Sequence, residues 1–275
     1  MSDRTDSELY PLRFKEIIRN YSFGGRWITR AFAKPGLPAT GSIAETWEVC
    51  DRPAESSVVV NGPLAGKTLH ELIDSCGDRL LGPFITGRFG CRFPLLIKLL
   101  DASRPLGEQA HHDDALAKKR GLSDPGKTEA LEGVHVEEDM EPKVTPVTIE
   151  SPGLRRTFIF ACSHFALERL DIAGTRRLET DRSKFRVLTC IGGSADVAAG
   201  GCVERLGAGS TCLLPAECGG ADVTADGAAS LLLAYVPDIA ADMIAPLRAA
   251  GVGDEAICGL GGRTALNQVR PFLRP

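Results

Sequence analysis

Phe185-Arg186-Val187-Leu188-Thr189-Cys190-Ile191, then Cys202-Val203-Glu204-Arg205-Leu206 and Thr211-Cys212-Leu213-Leu214, follow one another within thirty residues, as about three short strands would. These are short apolar runs with β-branched residues, and glycines separate them at Gly192-Gly193, Gly200-Gly201, Gly207 and Gly209. Such punctuation reads as strands joined by turns. On either side Thr157–Cys162 and Ser230–Val236 carry the same signature, with Gly219-Gly220 and Gly227 between the later runs. The expectation is a mainly β sandwich or jelly roll. A closing helix is predicted from Asp238 toward Ala250.

The first half is less regular. Thr46-Trp47-Glu48-Val49-Cys50 and Ser57-Val58-Val59-Val60 read as strands, and Phe23-Gly24-Gly25 as a glycine turn. Thr68 with Glu71 makes a capping box; Leu69, Leu72, Ile73 and Cys76 then fall on one helical face, and Gly77 stops the helix. Phe93–Asp101 is a strongly apolar strand candidate that places Leu95, Ile97 and Leu99 on one face. Lys98 lies on the other face, where it either snorkels at an edge or points into a functional cavity. Asp113 or Asp114 can cap a short helix that Gly121 ends. Residues 130–152 are charged and read as a solvated connector or exposed helix.

Composition narrows the function classes. The chain has 275 residues, 30 of them Gly and 17 Pro, with 6% aromatics, which favours turns and short strands over long helices. The net charge of −4 supplies no global basic field for nucleic acid. No run approaches the ~20 apolar residues of a membrane helix. The polar residues at 1–15 do not look like a secretory signal, so a cytoplasmic location is expected. The nine cysteines are odd in number and lack a Cys-x-x-Cys, which reads as reduced core thiols.

The densest chemistry is Gln109-Ala110-His111-His112-Asp113-Asp114. On an extended strand Gln109 and His111 face the same side, and Glu129 can return from the next strand. An amide oxygen, an imidazole and a carboxylate suit a borderline divalent ion such as zinc, although the same spacing also describes a polar surface.

Several segments together resemble the class I (type I) mannose-6-phosphate isomerases in their short bacterial form. They are Ala44-Glu45-Thr46-Trp47-Glu48, Asn61-Gly62-Pro63-Leu64-Ala65-Gly66-Lys67-Thr68-Leu69, Phe93-Pro94-Leu95-Leu96-Ile97-Lys98, Gln109–Asp114, Gly126-Lys127-Thr128-Glu129, Phe165–Leu170 and Leu214-Pro215-Ala216. Their order matches over most of the chain. The resemblance implies cupin-like jelly-roll β-barrels with a few short helices. It divides the chain into an N-terminal cupin-like domain at 1–149 and a C-terminal one at 150–275. It implies a zinc-dependent aldose–ketose isomerase acting on mannose 6-phosphate and fructose 6-phosphate. Gln109, His111 and Glu129 become the ligands of one zinc ion, and Lys98 and Lys127 the substrate contacts.

The chain also departs from the family. His112 replaces a proline, Gly107 a serine and Phe23 a tryptophan. After Leu131 the family continues through strands that supply another zinc histidine in a Gly-Thr-Ile-His-like turn, and a catalytic arginine. Here Val134-His135-Val136-Glu137 already resembles the family's sequence downstream of that region, and no Gly-Thr-Ile-His occurs. Two strong ligands plus an amide bind zinc more weakly than a full set. Loss of the covering strands is expected to expose apolar surface, or to force a homodimer or a rearranged N-terminal half. The competing reading is a non-catalytic cupin-like sugar or metal binder that keeps only the scaffold. An iron-dependent cupin oxygenase needs two histidines and a carboxylate, and only His111 and Glu129 qualify.

Overall fold

A computed structural model describes residues 8–32, 34, 36–38, 40–104, 144–262 and 267–273. In chain order its first part holds β1 (Ile17–Arg19), α1 (Trp27–Ala31), β2 (Glu45–Val49), β3 (Asp51–Arg52) and β4 (Glu55–Ser56). Then come α2 (Leu69–Cys76), α3 (Asp78–Leu81), α4 (Pro83–Phe89) and β5 (Ile97–Leu100). β1, β2 and β5 make a three-stranded sheet with β2 in the middle. The capping box forms as the sequence requires: the Thr68 hydroxyl accepts from the Glu71 amide, and the Glu71 carboxylate accepts from the Thr68 amide.

Two strand expectations shrink. Phe93–Asp101 pairs only over Ile97–Leu100, and Ser57–Val60 contributes isolated bridges, Val58 to Thr68 and Phe14 to Val59. Phe93 and Val59 are buried in a core with α2 instead, so apolar content there marks packing rather than a ladder.

The second part is dominated by β6 (Val147–Ser151), β7 (Leu154–Ala161), β8 (Ala166–Glu179), β9 (Arg186–Ala199), β10 (Cys202–Gly207), β11 (Thr211–Leu214) and β12 (Gly220–Tyr235). They form one antiparallel seven-stranded sheet in the order β10-β9-β12-β8-β7-β6, with β11 also paired to β9. The strand at Val147–Ser151 corrects the end of the connector or exposed helix expected over 130–152, whose residues 130–143 lie outside the described residues. Gly192-Gly193 and Gly227 are not turns between strands; they lie inside β9 and β12. The β12 register slips between Thr224 and Ala228 against β8, and between Ala225 and Ala229 against β9. Gly174, Gly193 and Gly227 all have positive φ at this line. The long strands therefore bend together, as bulges and glycines allow. Leu170 and Leu231 before the bend and Val197 and Val223 beyond it are buried in one cluster. The sheet thus curls around a single apolar core in the cupin manner.

A π-helical turn at Ile239–Ile244, capped by Asp238, leads into α5 (Ala245–Ala249). It is the helix expected from Asp238, with its first turns widened ahead of Pro246, whose ring crowds the carbonyl four residues back. α6 (Asp254–Gly259) follows. A second apolar cluster joins Leu12, Leu69, Leu72, Ile73 and Leu80 to Phe185, Val187 and Leu213, so the first part packs on β9 and β11. No disulfide joins any of the nine cysteines, all of which lie among the described residues. Among the described residues no helix is long and apolar enough to cross a membrane.

Candidate functional site

β2 alternates its two glutamates between the faces of the small sheet. Trp47 sits opposite Ile17 on β1 and Lys98 on β5, while Glu45 sits opposite Arg19 and Leu100. Period two therefore puts Arg19, Glu45, Trp47 and Lys98 on one face. Glu45 is 6% exposed and both of its oxygens are engaged. Oε1 accepts from Lys98 Nζ at 3.0 Å and Oε2 from Trp47 Nε1 at 2.8 Å. The Arg19 guanidinium lies over the Trp47 ring, 4.3 Å from its centroid, and pairs with Glu55. Lys98 is thus neither a free snorkelling lysine nor a fully buried one: its side chain is 24% exposed and its charge is balanced.

On the opposite face Glu48 accepts from Thr46 Oγ1 at 2.7 Å and from Lys34 Nζ at 2.5 Å. Glu16 lies 3.3 Å from the same ammonium. Burial raises the Glu48 carboxyl above its ordinary pKa, and Lys34 opposes that shift.

The turn Phe23-Gly24-Gly25 holds the end of β5 in place. Ser103 Oγ donates to the carbonyls of Phe23 and Gly24 at 3.0 and 2.9 Å, and the buried Asp101 accepts from the Ile28 amide at 3.0 Å. A Cβ on Gly25 would stand 2.1 Å from Asp101 Oδ1, which explains the glycine. This anchors the chain at Ser103, shortly before Gln109.

Of the site residues expected from sequence, the structure places Lys98. Gln109, His111, Lys127 and Glu129, with the helix expected after Asp113, lie outside the described residues. Among the described residues no three His, Cys, Asp or Glu side chains gather as a metal-holding group. Sequence reasoning does not single out Glu45, Trp47 and Arg19 as site residues. The available signal is the spacing of Glu45 and Trp47 on one face of a strand that meets a lysine.

A bent antiparallel sheet around one core is a cupin-type fold, here preceded by a smaller sheet that carries the part-buried Glu45–Lys98 pair. Residues 12–141 match the family described as phosphomannose isomerase type I, catalytic domain, and residues 155–236 match mannose-6-phosphate isomerase, cupin domain. The chain belongs to the type I mannose-6-phosphate isomerase family. It is 36% identical over 132 residues to the probable mannose-6-phosphate isomerase GmuF of Bacillus subtilis (strain 168), a match covering 48% of this chain and 40% of that protein. To the mannose-6-phosphate isomerase ManA of the same organism it is 33% identical over 132 residues, or 48% and 39% of the two chains. The matched stretch is thus well under half of each relative.

Among solved structures, the mannose 6-phosphate isomerase from Bacillus subtilis superposes with a TM-score of 0.66 at 17% identity, covering 83% of this chain and 100% of that one. The Salmonella typhimurium enzyme, bound to substrate and a zinc atom, gives 0.63 at 14% identity, covering 82% and 99%. At these identities the likeness is one of fold.

Proposed function

We propose that the chain is a zinc-dependent aldose–ketose isomerase that interconverts mannose 6-phosphate and fructose 6-phosphate in the cytoplasm. The observation that carries this reading is the succession, in one chain, of the catalytic-domain match at 12–141 and the cupin-domain match at 155–236. We assign the catalytic domain to the part before β6 and the second cupin-like domain to β6 onward, in place of the expected division into 1–149 and 150–275, which would cut the strand Val147–Ser151.

Gln109, His111 and Glu129 would hold the metal; their amide, imidazole and carboxylate donors are a chemically apt set for zinc. Zinc, when bound, polarises the sugar oxygens. The chain's own contribution is binding and orientation. Lys98 presents an ammonium on the charged face of the small sheet, with Glu45 occupying one of its three N–H donors. Lys127 adds a second cation for the phosphate. The substrate proton moves between C1 and C2 through an enediol, whose developing oxygen charge such cations favour.

The test is a coupled assay with mannose 6-phosphate on zinc-loaded protein, beside His111→Ala and with metal analysis of both. The expected result is turnover that falls at least ~100-fold in His111→Ala, together with loss of zinc. Equal background rates in the two proteins would replace this reading with the non-catalytic sugar or metal binder.

A further inference from the structure

Glu45 touches both of the groups that shape the charged face of the small sheet. Its Oε1 holds Lys98 Nζ and its Oε2 holds Trp47 Nε1, so the carboxylate cannot turn without losing one of them. Trp47 is also held from its ring face by Arg19. We propose that Glu45 is a positioning residue of the sugar-phosphate site, fixing the Lys98 ammonium and the Trp47 indole before the anionic substrate arrives. This rests on the reading of Lys98 as a substrate contact.

The physical case is one of preorganisation. A lysine stem is long and flexible, and a ligand that captures a free ammonium must also freeze it. A buried carboxylate that already holds the amine removes that cost from binding. Glu45 is 6% exposed, so its charge needs Lys98 as a counter-charge, and the pairing is reciprocal. The register makes this specific. Trp47 faces Lys98 directly across the ladder, and Glu45 is the next residue on the same face. Glutamine at this position can accept from only one of the two donors, and its amide nitrogen then faces the other. Aspartate keeps the charge but withdraws it by one methylene.

The test is a double-mutant cycle on the full zinc-loaded chain, using fructose 6-phosphate in calorimetry and in the assay. Glu45→Gln is expected to raise Kd and KM about tenfold, with a smaller change in kcat. In a Lys98→Met background the same substitution should change Kd less than about twofold. Equal losses in both backgrounds would show that Glu45 does not act through Lys98. A second measurement needs no substrate: acetylation of Lys98 followed by mass spectrometry, with exposed Lys67 as the reference. Wild type should label slowly, Glu45→Gln several-fold faster and Glu45→Asp between them. Unchanged labelling in Glu45→Gln overturns the proposal even in an active enzyme. Faster labelling in a chain that neither binds nor turns over fructose 6-phosphate would keep the hold of Glu45 on Lys98 but overturn the isomerase reading, and with it the sugar-phosphate site that Glu45 is proposed to serve.

Discussion

Arg79 at the second position of α3 grips both carboxylate oxygens of Glu217, 138 residues further along, with Nη2 to Oε1 at 3.0 Å and Nε to Oε2. Glu217 lies in the short 3₁₀ turn Ala216–Cys218 that follows β11. The pair therefore clamps the helical layer of the first part to the cupin sheet, beside the apolar contacts of Leu80, Phe185 and Leu213. The apolar contacts carry most of that attachment, because both partners of the ion pair are partly solvated, at 39% and 28% exposure.

Arg79→Ala is accordingly expected to cost about 0.5–1 kcal/mol, the upper part of the range for exposed pairs, because the fork is bidentate. The Arg79 hydrogen bond holds the Glu217 carboxyl below its ordinary pKa. A depressed folded pKa means that the stabilisation is present above the unfolded carboxylate value and is lost as pH falls through the folded one. Urea melts of wild type and Arg79→Ala should differ at pH 7 and converge in acid. Equal midpoints at pH 7 would show that the pair contributes nothing.

Glu168 offers a sharper case, because it has no exposed surface. Both its oxygens meet the Arg156 guanidinium, and Tyr235 donates its hydroxyl to one of them. Glu168→Ala leaves a cation and a phenol without their acceptor, and about 3–5 kcal/mol of stability should be lost. Tyr235→Phe removes one hydrogen bond to a carboxylate that Arg156 still holds, which costs about 1.5–3 kcal/mol. Chemical denaturation of the two variants should preserve that ranking. A Glu168→Ala protein as stable as wild type would mean that solvent reaches Arg156 and replaces the carboxylate.

Gly193 and Gly192 form a matched pair at the bend of the sheet. Gly193 has φ near +69°, and a Cβ there would stand 2.1 Å from the Ala228 carbonyl oxygen. At Gly192 the nearest atom to such a Cβ is Ser230 Cβ at 3.8 Å, and its φ is not in the left-handed range. Gly193→Ala should therefore cost about 2 kcal/mol or more, combining left-handed strain with a backbone clash, while Gly192→Ala stays within about 1 kcal/mol. Thermal melts of the two single variants check this; equal losses would remove the bulge geometry as the cause.

These glycines also show how far the sequence can be read. Short apolar runs broken by glycine point to a mainly β sandwich or jelly roll, the family resemblance narrows that to cupin-like, and the observed fold is mainly β and cupin-like. The same glycines do not tell a turn between strands from a bulge within one, because both need positive φ. β8 is hard to read as a strand, because its inward row Ala166, Glu168, Leu170 and Ile172 contains a charge, and only Arg156 and Tyr235 from other strands make that charge tolerable. Lys98 stands out as a lysine within an apolar run. Its partner does not, since Glu45 lies 53 residues earlier and is brought near only by the β2–β5 register. In the segment that carries Gln109, His111, Lys127 and Glu129, spacing offers only a donor set that suits zinc or a polar surface, the resemblance assigns the roles, and the segment falls outside the described residues.

Thiol reactivity tests the core independently of catalysis. Burial pushes the thiols of Cys50 and Cys218 up to about 11 and that of Cys212 up to about 12, whereas Cys91 is exposed. The thiolate is the nucleophile, so at pH 8 iodoacetamide should reach Cys91 first and Cys212 last. The raised values also carry a pH signature. Stability from a neutral buried thiol is complete below the unfolded pKa of 9.0 and is lost as pH rises through the folded value, so alkaline melts should weaken between about 9 and 12. Peptide mapping after timed alkylation reads the first expectation and urea midpoints across that range read the second. Rapid labelling of Cys212 in the folded protein would show that β11 opens to solvent, and would place the contact between β11 and Leu12 among the weakest in the molecule rather than at its core.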